Sequence, residues 1–201
     1  MTAGLARALV RYVPSAIIAT IADVLAFVLA PIAALPVFVR VGDDGRERLV
    51  WYWQWITTHD QEIDLILRHP TAIQEHWLLG RFGRERVLSS PVLRWYARAA
   101  WIWRNPAYYV QWLLGYDMTG VQITKHVDGS DTWDTGQPSM SYWTAVNARG
   151  QTAFLWERQI YYTDHRCLEL QFGWKLYRTQ VEDKGRCMLA FRVSPFRRYG
   201  V

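Results

Sequence analysis

A chain of 201 residues can build one domain with its own core even after an apolar N-terminal stretch is set aside. Its 51% hydrophobic content excludes a disordered chain, and two cysteines without a CxxC pair exclude a disulfide framework. The formal charge of +5 is spread along the chain with no recognition-helix or basic-aromatic strand motif, so nucleic acid is not expected as a partner and proximity to anionic lipid is the better reading.

Residues 1–11 carry Arg7 and Arg11 as a short basic flank. From Tyr12 to Val39 the only charged residue is Asp23. Within that run, Ser15–Leu35 supplies the roughly 20 apolar residues that a helix needs to cross a bilayer. A secretory signal is disfavoured, because the run is too long for such a segment and no A-x-A site follows it. Pro14 stands at the entry, and Pro31 and Pro36 near the exit should kink or end the helix. The prolines keep a re-entrant or interfacial segment open as an alternative, as is a buried helix of an assembled complex. A lone acid at mid-span costs roughly 2.5–3.5 kcal/mol. Asp23 either pairs with a partner helix or is protonated in a shallow turn, and the second reading is preferred because the span holds no other charge. Arg40, Arg46 and Arg48 after the span outnumber Arg7 and Arg11 before it, which favours a cytoplasmic C-terminal domain. Cys167 and Cys187 read as reduced core thiols in that compartment.

Gly42–Gly45 reads as a turn. Trp51, Trp53 and Trp55 then alternate, which fits a strand and equally fits an interfacial aromatic belt. Thr58–Asp64 is a polar, acidic patch with His69, Glu75 and His76 downstream. Their spacing matches no zinc motif, and loop and capping residues are the ordinary explanation. His69-Pro70 breaks the chain, Thr71–Gly80 reads as a short helix, and Arg81–Arg86 as a basic turn. Ser90-Pro91 is a helix start, with Ser as cap and Pro at the first position. That helix runs to Trp103 and stops at Asn105-Pro106. Leu93, Ala97, Ala100 and Trp101 share one face, with Arg94 and Arg98 together elsewhere. A second apolar stretch, Ala107–Leu114, ends at Gly115. Either element suits a membrane surface or a sheet face.

From Thr119 the period changes to two. Residues 121–127 read as a strand, Asp128–Asp131 as a turn, and the polar loop to Ser139 carries Trp133. Residues 141–162 form a hairpin around the turn Asn147–Gly150. In the strand 167–177, Leu168, Leu170, Phe172, Trp174 and Leu176 fall on one face and Cys167, Glu169, Gln171 and Lys175 on the other. Glu182–Gly185 turns, and 187–196 returns with Cys187, Leu189, Phe191 and Val193 inward. Cys167 and Cys187 thus occupy opposite sides, which disfavours a bridge. The expected fold is α+β: an N-terminal transmembrane or membrane-associated helix, a helical segment, and an antiparallel β-meander of about five strands with one buried face. Trp101, Trp103, Trp174 and Phe191 are expected in or near the core. The boundaries are a membrane anchor at 1–41, a Trp-rich segment at 42–118 and a sheet region at 119–201, with 42–201 as one folded unit.

The segments WQWITTHDQEID (53–64), WIWRNPAYYVQWLLG (101–115), FGWKLY (172–177) and FRVSPFRRYG (191–200), in that order behind an apolar segment, resemble a family of small uncharacterised proteins of tailed bacteriophages and prophages. The resemblance implies a viral origin and carries no catalytic residues. The reading is a phage-encoded, membrane-anchored accessory protein that binds another protein at the host inner membrane, without catalysis, cofactor or metal. Its candidate partner contacts are Trp133, Tyr142 and Trp143. Its candidate membrane-interface contacts are Trp51, Trp53, Trp55, Arg197 and Arg198. One alternative is a structural or ejection-associated virion component. A second is an enzyme with an unrecognised site around Asp60, Asp64 and His76, although no nucleophile elbow, P-loop or dinucleotide fingerprint exists.

Overall fold

The computed structural model describes residues 3–128, 139–163, 166–176 and 185–198. The chain forms two compact units, Met1–Ile18 with Gln111–Val201, and Ala19–Val110. The fold is α+β, with one long apolar helix and a five-stranded antiparallel sheet.

Helix α1, Ala3–Ala33, begins well before the apolar run and takes Arg7, Arg11 and Pro14 into its body. The expectation that Pro14 opens the helix is therefore corrected: an exposed proline inside a helix removes one backbone bond without ending it. Pro36 does close it, opening a 3-10 turn at Pro36–Phe38.

In the unit Ala19–Val110, strands β1 (Val39–Val41) and β2 (Glu47–Leu49) form a small hairpin. Its turn uses Gly45 at a φ of 73°, where a residue without Cβ is favoured. Trp51–Ile56 is a 3-10 helix, so the strand reading of the alternating tryptophans is corrected. Trp53 and Trp55 pack against the unit's helical core, which the alternation could not show. Short helices α2 (Leu65–Arg68), α3 (Pro70–Glu75) and α4 (Arg84–Ser89) lead to α5, Pro91–Arg104. The Ser90 hydroxyl accepts from Leu93 N at 3.4 Å and Pro91 opens the helix, as the sequence signals require. Ile56, Ile63, Ile73, Leu79, Val87 and Ile102 are fully buried at the centre of this unit.

Helix α6 (Tyr108–Leu113) begins in the unit Ala19–Val110 and ends in the other, where β3 (Tyr116–Asp117) pairs with β8 (Arg186–Cys187). The main sheet is a meander of β4 (Gln122–Asp128), β5 (Ser139–Val146), β6 (Thr152–Thr163), β7 (Arg166–Trp174) and β9 (Leu189–Arg198). The β5–β6 turn is built by Asn147, whose side-chain oxygen accepts from Arg149 N at 3.1 Å and Gln151 N at 3.0 Å. Gly173 has a φ of 121°, and a Cβ there would lie 2.1 Å from the Phe154 carbonyl, so β6 and β7 meet only because this residue is glycine. The turn and loop expected between Asp128 and Ser139, and the turn from Glu182 to Lys184, lie outside the described residues, as do Asp164 and His165.

The alternation in β7 is as expected, and Trp174 and Leu176 are buried as expected, but over Cys167–Phe172 the burial is reversed. Cys167, Glu169, Gln171 and Gly173 are buried, while Leu168, Leu170 and Phe172 are only half-buried. On β9, Phe191 is 45% exposed and Val193 56%, so Phe191 does not join the core. The polar face is buried with partners of its own. Tyr161 Oη donates to Gln159 Oε1 at 3.0 Å, Gln159 Nε2 to Glu157 Oε1 at 3.3 Å, and Arg192 Nη1 to Glu169 Oε2 at 3.2 Å. The apolar face is covered at one end, where the Tyr12 ring meets Phe154 and Trp174 edge-on at 5.3 and 5.5 Å. Trp101 and Trp174 are buried and Trp103 is half-buried. Cys167 and Cys187 are both buried and not disulfide-bonded.

Candidate membrane and partner surfaces

Helix α1 is long and apolar enough to cross a membrane. Its burial follows the small residues. Ala8, Tyr12 and Ala16 are buried in the first part, and Ala19, Ala22, Ala26, Ala30 and Ala33 in the second. This is a register of steps of three and four, a single helical stripe. The large side chains go the other way: Val10, Val13, Ile17, Ile21, Val24 and Phe27 are all about half exposed or more, and Val28 is 64% exposed. A helix on the surface of a water-soluble protein buries its large apolar residues. Here alanine faces protein and aliphatic bulk faces outward, the distribution expected where small residues permit close helix packing and the outer flank meets lipid.

Trp103 Nε1 donates to the Phe27 carbonyl at 2.8 Å, and Trp95 Nε1 to the Pro31 carbonyl at 2.7 Å. Two indoles of α5 thereby satisfy backbone acceptors at the end of α1. Beyond it, Val37, Val41 and Tyr52 are exposed and Trp51 is 76% exposed. Phe38 packs between Tyr52 and Trp53 at ring separations of 6.3 and 5.9 Å. Of the three candidate interface tryptophans, Trp51 is therefore at the surface, while Trp53 and Trp55 are half-buried. Arg197 and Arg198 fall in β9, but their side chains lie outside the described residues.

On the sheet, the register aligns Tyr142 with Trp156, Trp156 with Phe172, and Phe172 with Phe191. This row of aromatics crosses four strands. Trp156 stacks on Phe172 at 5.6 Å, and Phe172 meets Phe191 at 5.7 Å. Tyr142 and Phe191 are exposed. Trp143, the neighbouring candidate, points to the opposite face opposite Leu155 and is buried, so it belongs to the packing and not to a surface. Trp133 lies outside the described residues. The sequence alone did not give this row: a turn closed at Asn147–Gly150 would set Tyr142 opposite Leu155, whereas Asn147 N donates to the Gln151 carbonyl at 3.1 Å and the register moves by one residue, bringing Tyr142 to Trp156.

The acids considered as an enzymatic site serve the local structure. Asp60 accepts from Thr58 Oγ1 and from Glu62 N at 3.3 Å, closing its own loop. Asp64 is buried beside Arg68, with Nε 3.2 Å from Oδ1, and burial raises its carboxyl above the ordinary range. His76 accepts at Nδ1 from Leu79 N at 3.4 Å and stacks on Trp77, and burial lowers its pKa. No group of three metal-ligating side chains occurs among the described residues. Sequence reasoning missed the strongest charge cluster. Glu47 accepts from Arg98 Nε at 2.7 Å and Nη2 at 2.8 Å, and from Arg94 Nη2 at 2.6 Å. Glu62 is held by Arg46 and Arg68. Arg94 and Arg98 share a helix face, which was legible, but Glu47 stands 51 residues before Arg98 and has no local signal.

The model of a family of unknown function, DUF7338, matches residues 4–201. No curated protein matches the chain, and no solved structure does.

Proposed function

We propose that this chain, which belongs to the DUF7338 family, is a non-catalytic membrane-associated accessory protein that lays the aliphatic flank of α1 against lipid and holds a partner protein on its sheet. The observation that carries this reading is the division of α1 into a buried alanine stripe and an exposed aliphatic flank. The placement that fits is along the bilayer surface. The part of α1 from Ala22 to Ala33 belongs to the same core as α5, and the unit holding them also holds the ion pairs of Glu47 with Arg94 and Arg98. A crossing would carry those charges towards hydrocarbon, whereas a helix in the plane immerses only its outer flank. Exposed Trp51 and Tyr52 suit the headgroup level. The compartment this reading assigns is the cytoplasmic face of the host inner membrane, in keeping with the resemblance to phage and prophage proteins. The partner surface is the aromatic row ending in Phe191.

Flotation of the purified full chain with phospholipid vesicles tests it. The wild type should float, carbonate should release it more readily than a spanning protein, and Ile21→Asp with Val28→Asp should weaken partition at least about tenfold. A wild type that stays with the soluble fraction at every lipid composition would overturn the reading and favour a flank packed against other subunits of a particle.

A further inference from the structure

A cavity of about 390 Å³ opens beside the first turns of α1, lined by Gly4, Arg7 and Arg11 from the helix and by Arg149, Gly150 and Thr152 from the β5–β6 hairpin and the start of β6. Its size lies within the range of small-ligand sites, about 300–1,000 Å³. Three arginines line it, and among the described residues no carboxylate does. Arg11 is fixed from several sides: Nη2 donates to the Thr152 carbonyl at 3.2 Å, and its guanidinium lies over the rings of Trp174 at 4.7 Å and Tyr116 at 5.5 Å. A carbonyl and two aromatic faces orient a cation without neutralising it. Arg149 sits at the hairpin tip, with Nε 3.6 Å from Asp117 Oδ2, leaving its terminal nitrogens for a ligand. A Cβ at Gly4 would lie 2.7 Å from Thr152 Oγ1, so glycine permits the helix to come this close to β6.

We infer that this cavity binds a phosphate group carried on a small ester, with Arg7, Arg11 and Arg149 as its ligands. Guanidinium groups match phosphate oxygens in planar, two-point hydrogen bonds, which a cradle of three can supply from different sides. Arg7 and Arg11 stand one helical turn before Val10 and Pro14 respectively, both exposed, so the cavity sits beside the aliphatic flank. If the flank lies in lipid, as proposed above, the phosphate is that of an anionic phospholipid headgroup. The recognition chemistry is the same for a soluble phosphate ester.

The test uses the full chain and two probes: sn-glycerol 3-phosphate by titration calorimetry, and vesicles with and without phosphatidylglycerol by flotation. Arg7→Gln and Arg149→Gln alter exposed side chains and should leave the fold intact. Arg40→Gln, an exposed arginine outside the cavity, controls for one lost charge. The expected result is saturable glycerol phosphate binding, weakened about tenfold by each cavity variant and unchanged by Arg40→Gln. The same two variants should remove the preference for phosphatidylglycerol. Absence of saturable binding, or equal loss in all three variants, would overturn the site in favour of diffuse charge. Glycerol phosphate binding without flotation would keep the site and assign it a soluble ester, while the membrane reading fails. Flotation without cavity-dependent selectivity would do the reverse.

Discussion

Trp103 Nε1 donates to the carbonyl of Phe27, the acceptor that Pro31, four residues on and lacking an N–H, cannot serve. An indole from α5 completes the helix that the proline interrupts. Trp103→Phe should therefore cost about 1 kcal/mol, the net value of one hydrogen bond to a carbonyl that the fold leaves near the surface. Pro31→Ala restores the N–H and should offset most of that loss. A double-mutant cycle by urea denaturation checks it, and additive single effects would show that the indole contributes only packing.

Glu47 and Arg98 form the most buried ion pair of the unit Ala19–Val110, with side chains 8% and 7% exposed. Burial pushes the Glu47 carboxyl up, but hydrogen bonds and charge from Arg98 and Arg94 outweigh it and the net shift is downward from 4.5. A carboxyl lowered in the fold contributes stability above its unfolded pKa and loses it as pH falls through the folded value. Glu47→Gln should cost about 3 kcal/mol at pH 7 by leaving Arg98 without its counter-charge. The deficit should shrink below pH 4.5, where the wild type protonates as well. Thermal melts across that range decide it.

Asp64 has the opposite sign. Burial raises its carboxyl above 3.8, so its contribution is fully present below that pH and is lost as pH rises through the folded value. Asp64→Asn should be as stable as the wild type at pH 7 or more so, with the difference vanishing below 3.8. A marked loss of stability at neutral pH would mean that the pairing with Arg68 outweighs the cost of burial.

Trp174 and Phe191 lie on one face of the sheet and should behave differently. Trp174 is almost fully buried, and Trp174→Ala should cost about 3–5 kcal/mol. Phe191→Ser, at an exposed position, should cost under about 1 kcal/mol and leave circular dichroism unchanged. A large loss at Phe191 would return it to the core and remove the aromatic row as a surface.

The Cys187 thiol is pushed up to about 12, chiefly by burial. Maleimide should leave it unmodified in the native protein at pH 7 and modify it in denaturant, as read by mass spectrometry. Its share of stability is fully present below 9.0 and lost as pH rises towards 12. Rapid native labelling would show that β3 and β8 part readily.

Much of the local structure was legible because its causes lie within a few residues. Ser90-Pro91 starts a helix through one side-chain acceptor and one fixed φ, and Asn147–Gly150 turns a hairpin through its own side chain. Alternation in β7 follows from the two-residue pleat whatever surrounds the strand. The candidate surfaces were only partly legible. Trp51 and Tyr142 are exposed, but Trp143, one residue from Tyr142, is buried because the pleat turns it to the other face.

By itself, the sequence determined an apolar helix near the start, a capped helix from Pro91 to Trp103 and an antiparallel meander after Thr119. The tertiary structure decided which side of each element is covered. It buried the alanines of α1 and left the aliphatics outside, buried Glu169 and Gln171 with partners of their own, and left Phe191 and Val193 exposed. It also brought Glu47 to Arg98. The physical reason is that periodicity is a property of the backbone, whereas burial depends on groups brought in from distant parts of the chain.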